Sequence, residues 1–164
     1  MNTLHNFLEK YSKWIFTIYM AVLVLVIILK FPTSLVTDTV KLWMEGEKMD
    51  RLQPQLMPFK TIVFYIKNVQ AIYDWFFKNL AANILMFIPF GFLYPSLMKK
   101  EHRKGWRVIL VGCLLSAFIE IFQYVTAIGQ CDVDDVILNV IGVYIGYGIY
   151  KLMIFLSVDI SSSI

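Results

Sequence analysis

Charge is what this chain has least of. Asp, Glu, Lys and Arg together make up 16% of its 164 residues, while 59% are hydrophobic. Soluble proteins run at roughly 45–50% apolar and about 25% charged residues. A chain so poor in charge cannot bury its apolar residues and still cover itself with polar ones, so lipid must solvate much of its surface. Cysteine is scarce too: Cys113 and Cys131 are the only two. Were the residues between them one helix, the pair would lie about 27 Å apart, whereas a disulfide needs Cα atoms about 5.5 Å apart. Neither thiol has a metal-ligand spacing. No glycine-rich phosphate loop, Ser/His/Asp set or zinc signature occurs, and His5 and His102 lack ligand-like neighbours.

What is present is four long apolar runs: residues 14–29, 80–98, 106 to about 128, and 133 to about 156. Each approaches the ~20 residues that a helix needs to cross a bilayer. None alternates in the manner of a barrel strand, so helices are the way to satisfy the backbone in lipid. The expectation is an all-α membrane protein, a bundle of four transmembrane helices forming one integral membrane domain over residues 1–164. Lys10 and Lys13 before a short first run also resemble a signal peptide. The following "LKFPTSLV" offers a poor small-residue cleavage site, which favours an anchored helix.

Basic residues set the expected orientation. Lys10 and Lys13 precede the first run, and Lys99, Lys100, Arg103, Lys104 and Arg107 lie between the second and third. Such clusters between apolar runs mark cytoplasmic segments rather than nucleic-acid sites. Both termini are then cytoplasmic, and residues 31–79 and the turn at 129–132 face outward. Within that outer region Ile62, Ile66, Val69, Tyr73, Phe76 and Leu80 repeat at spacings of 4 and 3. The spacing predicts an extracytoplasmic amphipathic helix over 60–78, lying on the outer leaflet before the second span.

A carboxylate in "SAFIEIFQYV" is expensive to bury, which makes Glu120 the residue to explain. On a helix it shares a face with Gly112, Ser116, Gln123 and Ala127. Asp132, Asp135, Asn139, Gly142 and Gly146 share a face of the fourth span, and Asn83 lies one turn into the second. At 1.5 Å per residue, Glu120 and Asn139 each sit about 10–12 Å below the outer end. The expectation is a polar site open to the outside, containing Asn83, Ser116, Glu120, Gln123, Asp132, Asp135 and Asn139. Asp134 is rotated about 100° from Asp135 and reads as a helix cap of lesser importance. Gly142 and Gly146, four apart, read as helix packing.

These residues carry a resemblance. Asn83, Phe87, Pro89, Phe90 and Gly91 fit N-x-x-x-F-x-P-F-G. Ser116, Glu120 and Gln123 fit S-x-x-x-E-x-x-Q. Asp132, Asp135, Asn139, Gly142 and Gly146 fit D-x-x-D-x-x-x-N-x-x-G-x-x-x-G. Together the blocks resemble the VanZ family over residues 52–152, and "LMPFKTI" resembles its N-L-x-P-F segment. The resemblance implies a bacterial cell-envelope protein that lowers susceptibility to teicoplanin, a lipid-bearing glycopeptide. Two departures stand out: Gly129, Gln130 and Cys131 occupy the place where many members carry Arg, and Gln55 replaces the segment's Asn.

Three readings stay open. One is a non-enzymatic factor that engages membrane lipid, a lipoglycopeptide or a lipid-linked cell-wall precursor. Another is a membrane enzyme acting on a lipid-linked substrate, with Glu120, Asp132 and Asp135 as acid, base or ligands of a divalent cation, the cofactor that such oxygens suit. The third is a small transporter. No nucleophile with an evident base is present, which weighs against the enzyme.

Overall fold

The computed structural model describes residues 3–29, 33–45, 53–68 and 73–162. They form α1 (Thr3–Leu29), α2 (Thr33–Glu45), α3 (Lys60–Lys67), α4 (Tyr73–Leu97), α5 (Gly105–Val125) and α6 (Val133–Ser162), with a 3-10 turn at Lys100–His102. No strand occurs among the described residues. Four helical stretches are long and apolar enough to cross a membrane: Lys10–Ile28, Leu80–Leu97, Gly105–Val125 and Val133–Leu156.

The tightest contact is between α4 and α6, which run parallel. Ile84 and Ile88 of α4 meet Gly142 and Gly146 of α6 in the same order. Here the backbones almost touch. A Cβ at Gly142 would lie 2.2 Å from the Ile84 carbonyl oxygen, and one at Gly146 2.0 Å from that of Ile88. From the other side, a Cβ at Gly91 would lie 2.0 Å from the Val143 carbonyl oxygen. Lipid supplies little hydrophobic drive between helices, so close backbone approach and dispersion contacts hold such a pair together. Phe87, Phe90, Val108 and Val143 fill the interior around it.

α5 returns antiparallel beside this pair, and α1 packs mainly on α4. Phe16 of α1 contacts the rings of Phe90 and Tyr94, and the Tyr19 hydroxyl donates to the Met86 carbonyl at 2.8 Å. α1 is therefore antiparallel to α4, and its N-terminal end lies beside the α4–α5 loop. That loop is fastened to α6. Arg103 donates from Nε to the Met98 carbonyl at 2.9 Å and from Nη1 to the Tyr150 hydroxyl at 3.2 Å, while the Tyr147 hydroxyl donates to the Arg103 carbonyl at 3.1 Å.

Three elements depart from the sequence reading. α2 was not anticipated, because its Thr- and Val-rich sequence has modest helix propensity. α3 stops at Lys67, where Asn68 closes it by donating from its side-chain amide to the Phe64 carbonyl at 2.8 Å. Of the stripe expected over 60–78, Val69 lies outside the described residues and Tyr73 already opens α4. Within α3, Tyr65 is buried and Ile62 half-buried, whereas Ile66 is exposed. α5 ends at Val125 rather than near Ile128. The Thr126 hydroxyl bonds back to the Phe122 carbonyl at 2.7 Å, and Ala127 turns left-handed with φ 56°.

Replacing Gly146 by Ala should destabilise the bundle by about 1–3 kcal/mol, the usual cost of overpacking. A Cβ at Gly148 meets nothing within 4 Å. Gly148→Ala should therefore be neutral or stabilising by up to about 1 kcal/mol through helix propensity. Thermal melting of the two variants in detergent reads the difference, and equal midpoints would remove the close-packing argument.

Candidate functional site

The site begins with one face of α5. Ser116, Glu120 and Gln123 are buried, while Leu114, Phe118, Ile121 and Phe122 on the other faces are exposed. The sequence thus sorts itself around the helix, with polar groups inward and apolar groups to lipid. Asn83 of α4 and Asn139 of α6 are buried as well. The Asn139 side-chain amide donates to the Ser116 hydroxyl at 2.8 Å, joining α6 to α5 in the interior. Asn139 Oδ1 is buried with no hydrogen-bond partner among the described residues.

A second layer lies toward the end of the bundle where α5 stops and α6 starts. Here residues 53–62 are stitched to residues 130–134. The Gln55 amide donates to the Cys131 carbonyl at 2.8 Å and the Val133 amide to the Gln55 carbonyl at 3.0 Å, a short parallel bridge. The Gln130 side chain donates to the Gln53 carbonyl at 2.6 Å. Gln55, which replaces the asparagine of the L-x-P-F segment, donates from its side chain to the Met57 carbonyl at 2.6 Å.

Carboxylates complete this layer. Glu120 Oε2 accepts from the Asp132 amide at 3.0 Å. Asp132 accepts from the Asp134 amide at 2.9 Å and from the Thr61 hydroxyl at 2.6 Å. Asp134 is wholly buried, with 0% of its surface exposed. Its oxygens accept from three backbone amides: Phe59 at 2.5 Å, Thr61 at 2.8 Å and Ile62 at 3.0 Å. These are unsatisfied N–H groups at the start of α3, which has Phe59 where a helix usually places Ser, Thr, Asp or Asn. Asp134 also occupies the first turn of α6. One carboxylate thus lies near the positive ends of two helices. Phe59 itself is left-handed, with φ 65°, a strained setting for an aromatic residue that its bond to Asp134 offsets.

The structure therefore brings Glu120 and Asp132 together at one end of α5, and Ser116 and Asn139 in a deeper layer. Asp135 is half-buried beside this assembly. Asp134, set aside on helix-face grounds, is the most deeply enclosed carboxylate of the described residues. The signal that could have found it is the missing cap in "MPFKTI": a helix start without its own acceptor must borrow one. Among the described residues no three His, Cys, Asp or Glu side chains group so as to hold a metal ion. Glu120, Asp132 and Asp135, the set considered for a divalent cation, do not form such a group among the described residues. Cys131 is free, as is Cys113. Burial pushes the Cys131 thiol above its ordinary range, and the Glu120 and Asp132 carboxylates push it the same way.

Removing the Asp134 carboxylate should release α3. Hydrogen bonds to charged groups are worth about 1.5–3 kcal/mol each. Asp134→Ala should thus speed hydrogen exchange at the Thr61 and Ile62 amides by roughly two orders of magnitude or more, at about 1.4 kcal/mol per tenfold. Asp135→Asn should leave those amides protected. Exchange measured by mass spectrometry checks both, and unchanged protection in Asp134→Ala would refute the clamp.

Residues 16–155 match the VanZ/LLP1 family. The chain is 36% identical over 77 residues to "Protein VanZ" of Enterococcus faecium, a match covering 46% of this chain and 46% of that protein. The aligned part is thus less than half of that relative's length. No solved structure matches the chain. The family match at 16–155 includes most of the first span, which the motif blocks at 52–152 did not reach. With four helices suited to a membrane and a family match over most of its length, the chain belongs to the VanZ/LLP1 family.

Proposed function

We propose that this protein lowers the susceptibility of a bacterial envelope to lipoglycopeptides such as teicoplanin. It acts without catalysis at the outer leaflet, on the acyl-bearing drug or on a lipid-linked cell-wall precursor. In this reading both termini and residues 99–107 are cytoplasmic, and the carboxylate layer faces outward, because the basic residues gather at the opposite end of the bundle.

One observation carries the proposal. The carboxylate layer holds α3 and its approach in place while leaving Leu56, Met57, Phe59, Phe64 and Ile66 exposed, each by more than half of its surface. Polar groups fixed beside an apolar ridge suit a ligand that has both a polar head and an acyl chain. The same bonds favour binding over catalysis. Asp132 and Asp134 use their oxygens as acceptors for the protein's own donors, which leaves them poorly placed as proton carriers. Asn83, Ser116, Glu120, Gln123, Asp135 and Asn139 remain the proposed polar site, with Asp132 and Asp134 as its frame.

Orientation is tested on intact cells with a membrane-impermeant maleimide. Cys131 should label from outside, and its rate should keep climbing at pH above the ordinary thiol range, because the thiolate is the reactive form and this thiol is held protonated. A cysteine placed at His102 should not label. Labelling at position 102 with none at Cys131 would invert the arrangement.

The function is tested by expression in a susceptible host. Tolerance should rise for teicoplanin and not for a glycopeptide lacking the acyl chain. Glu120→Gln keeps an acceptor for the Asp132 amide while removing the charge, and amides are far cheaper to bury than ions. The variant should insert at normal abundance yet lose most of the added tolerance. Full tolerance at normal abundance would make the carboxylate a packing feature.

A further inference from the structure

The opposite end of the bundle carries a surface that the proposed function does not use. The loop between α4, ending at Leu97, and α5, starting at Gly105, joins two membrane-crossing helices, so it lies at headgroup depth. Arg103 is committed inside this loop, to the Met98 carbonyl and the Tyr150 hydroxyl. The loop is therefore held in shape, and its other cations are left facing out. Lys99, Lys100 and Lys104 are exposed, and so is Lys151, the next residue after Tyr150. Arg107 is half-buried, with Nη1 against His102 Nδ1 and its guanidinium 5.2 Å from the centre of the Trp106 ring. Glu101 is the single acid in the loop, and it lies 4.0 Å from His102 rather than beside a lysine.

The antiparallel packing of α1 on α4 adds to this end. Phe16 meets Tyr94, so Lys13 and Lys10, one and two turns earlier, fall near the same loop, and both are exposed. Trp14 is 72% exposed and Trp106 60% exposed. Indole rings of this kind settle at the headgroup boundary. Below Trp106 on the same helical face come Leu110 and Leu114, both exposed, a track on which a hydrocarbon chain can lie.

We propose that Lys99, Lys100, Lys104 and Arg107, with Trp106, bind the phosphate of an anionic phospholipid whose acyl chain runs along Leu110 and Leu114. Charge complementarity selects the head, since a positive surface with one acid favours a phosphodiester without a balancing cation over a zwitterionic lipid. The apolar track selects a lipid over a soluble phosphate. The site is separate from the carboxylate layer and stands without the resistance reading.

The test uses the purified full chain in detergent, titrated with phosphatidylglycerol, phosphatidylcholine or soluble glycerol phosphate. Native mass spectrometry reads occupancy and thermal melting reads stabilisation. Phosphatidylglycerol should be retained and should raise the melting midpoint, while the other two should do neither. The combined variant Lys99→Gln, Lys100→Gln and Lys104→Gln should weaken that binding at least tenfold, and Glu101→Gln should strengthen it. Lys60→Gln with Lys67→Gln, at the other end of the molecule, should leave it unchanged. Equal retention of phosphatidylcholine, undiminished binding by the triple variant, or an equal loss in the Lys60 and Lys67 pair would overturn the proposal. If the triple variant does not fold, Glu101→Gln decides alone: no gain in phosphatidylglycerol occupancy refutes it.

Discussion

A buried carboxylate, met among the described residues by backbone amides, organises the end of the bundle where α5 stops and α6 starts. Taking an ion such as Asp134 out of water costs several kcal/mol even after relaxation. Three backbone amides meet it at 2.5–3.0 Å, and bonds of that kind return about 1.5–3 kcal/mol each. Losing a donor would leave part of that burial uncompensated. The donors come from the start of α3, a short helix that has no cap of its own. Ion and helix end therefore stabilise each other. Without Asp134 the first turn of α3 has no acceptor, and without α3 the carboxylate has no solvent.

Gly129, Gln130 and Cys131 bring no cation to the start of α6, and the donors that meet Asp134 there are the amides of Phe59, Thr61 and Ile62. Donors from a helix start can do for Asp134 what a guanidinium would do, and they add geometry. A cation on a flexible stem neutralises from many positions, whereas three amides within one turn fix one position and one direction. The strained φ of Phe59 fits that account, since a left-handed residue there aims its own amide at Asp134. The parallel bridge between Gln55 and Asp132 then sets the register of the approach.

Much of the fold was legible because lipid makes simple demands. Four long apolar runs have few other solutions, and Gly142 and Gly146 at adjacent turns marked a close helix contact, whose partner, the carbonyls of α4, only the structure shows. The polar face of α5 was legible for the same reason: Ser116, Glu120 and Gln123 recur at helical spacing in a run that is otherwise almost entirely apolar. What was hidden is contact between distant segments. Asp134 looked like a local cap, because helix-face reasoning treats each helix as a separate cylinder. Its partner lies more than 70 residues away in the chain. α2 was hidden because its β-branched residues weaken the local signal, and the break after α3 because a side-chain cap by Asn68 ends a helix that its apolar spacing would have continued.

The two layers of the site differ in what they ask of the membrane. The deeper one, Ser116 with Asn139, uses neutral groups, which lipid-facing helices can bury at modest cost once they are paired. The outer one uses carboxylates, which are affordable only where backbone donors and two helix starts converge. Charge therefore sits at the end of the bundle where helices begin and end, and uncharged polar groups sit within it. That gradient follows from dielectric alone. Within the deeper layer Asn139 Oδ1 stays buried and without a partner among the described residues.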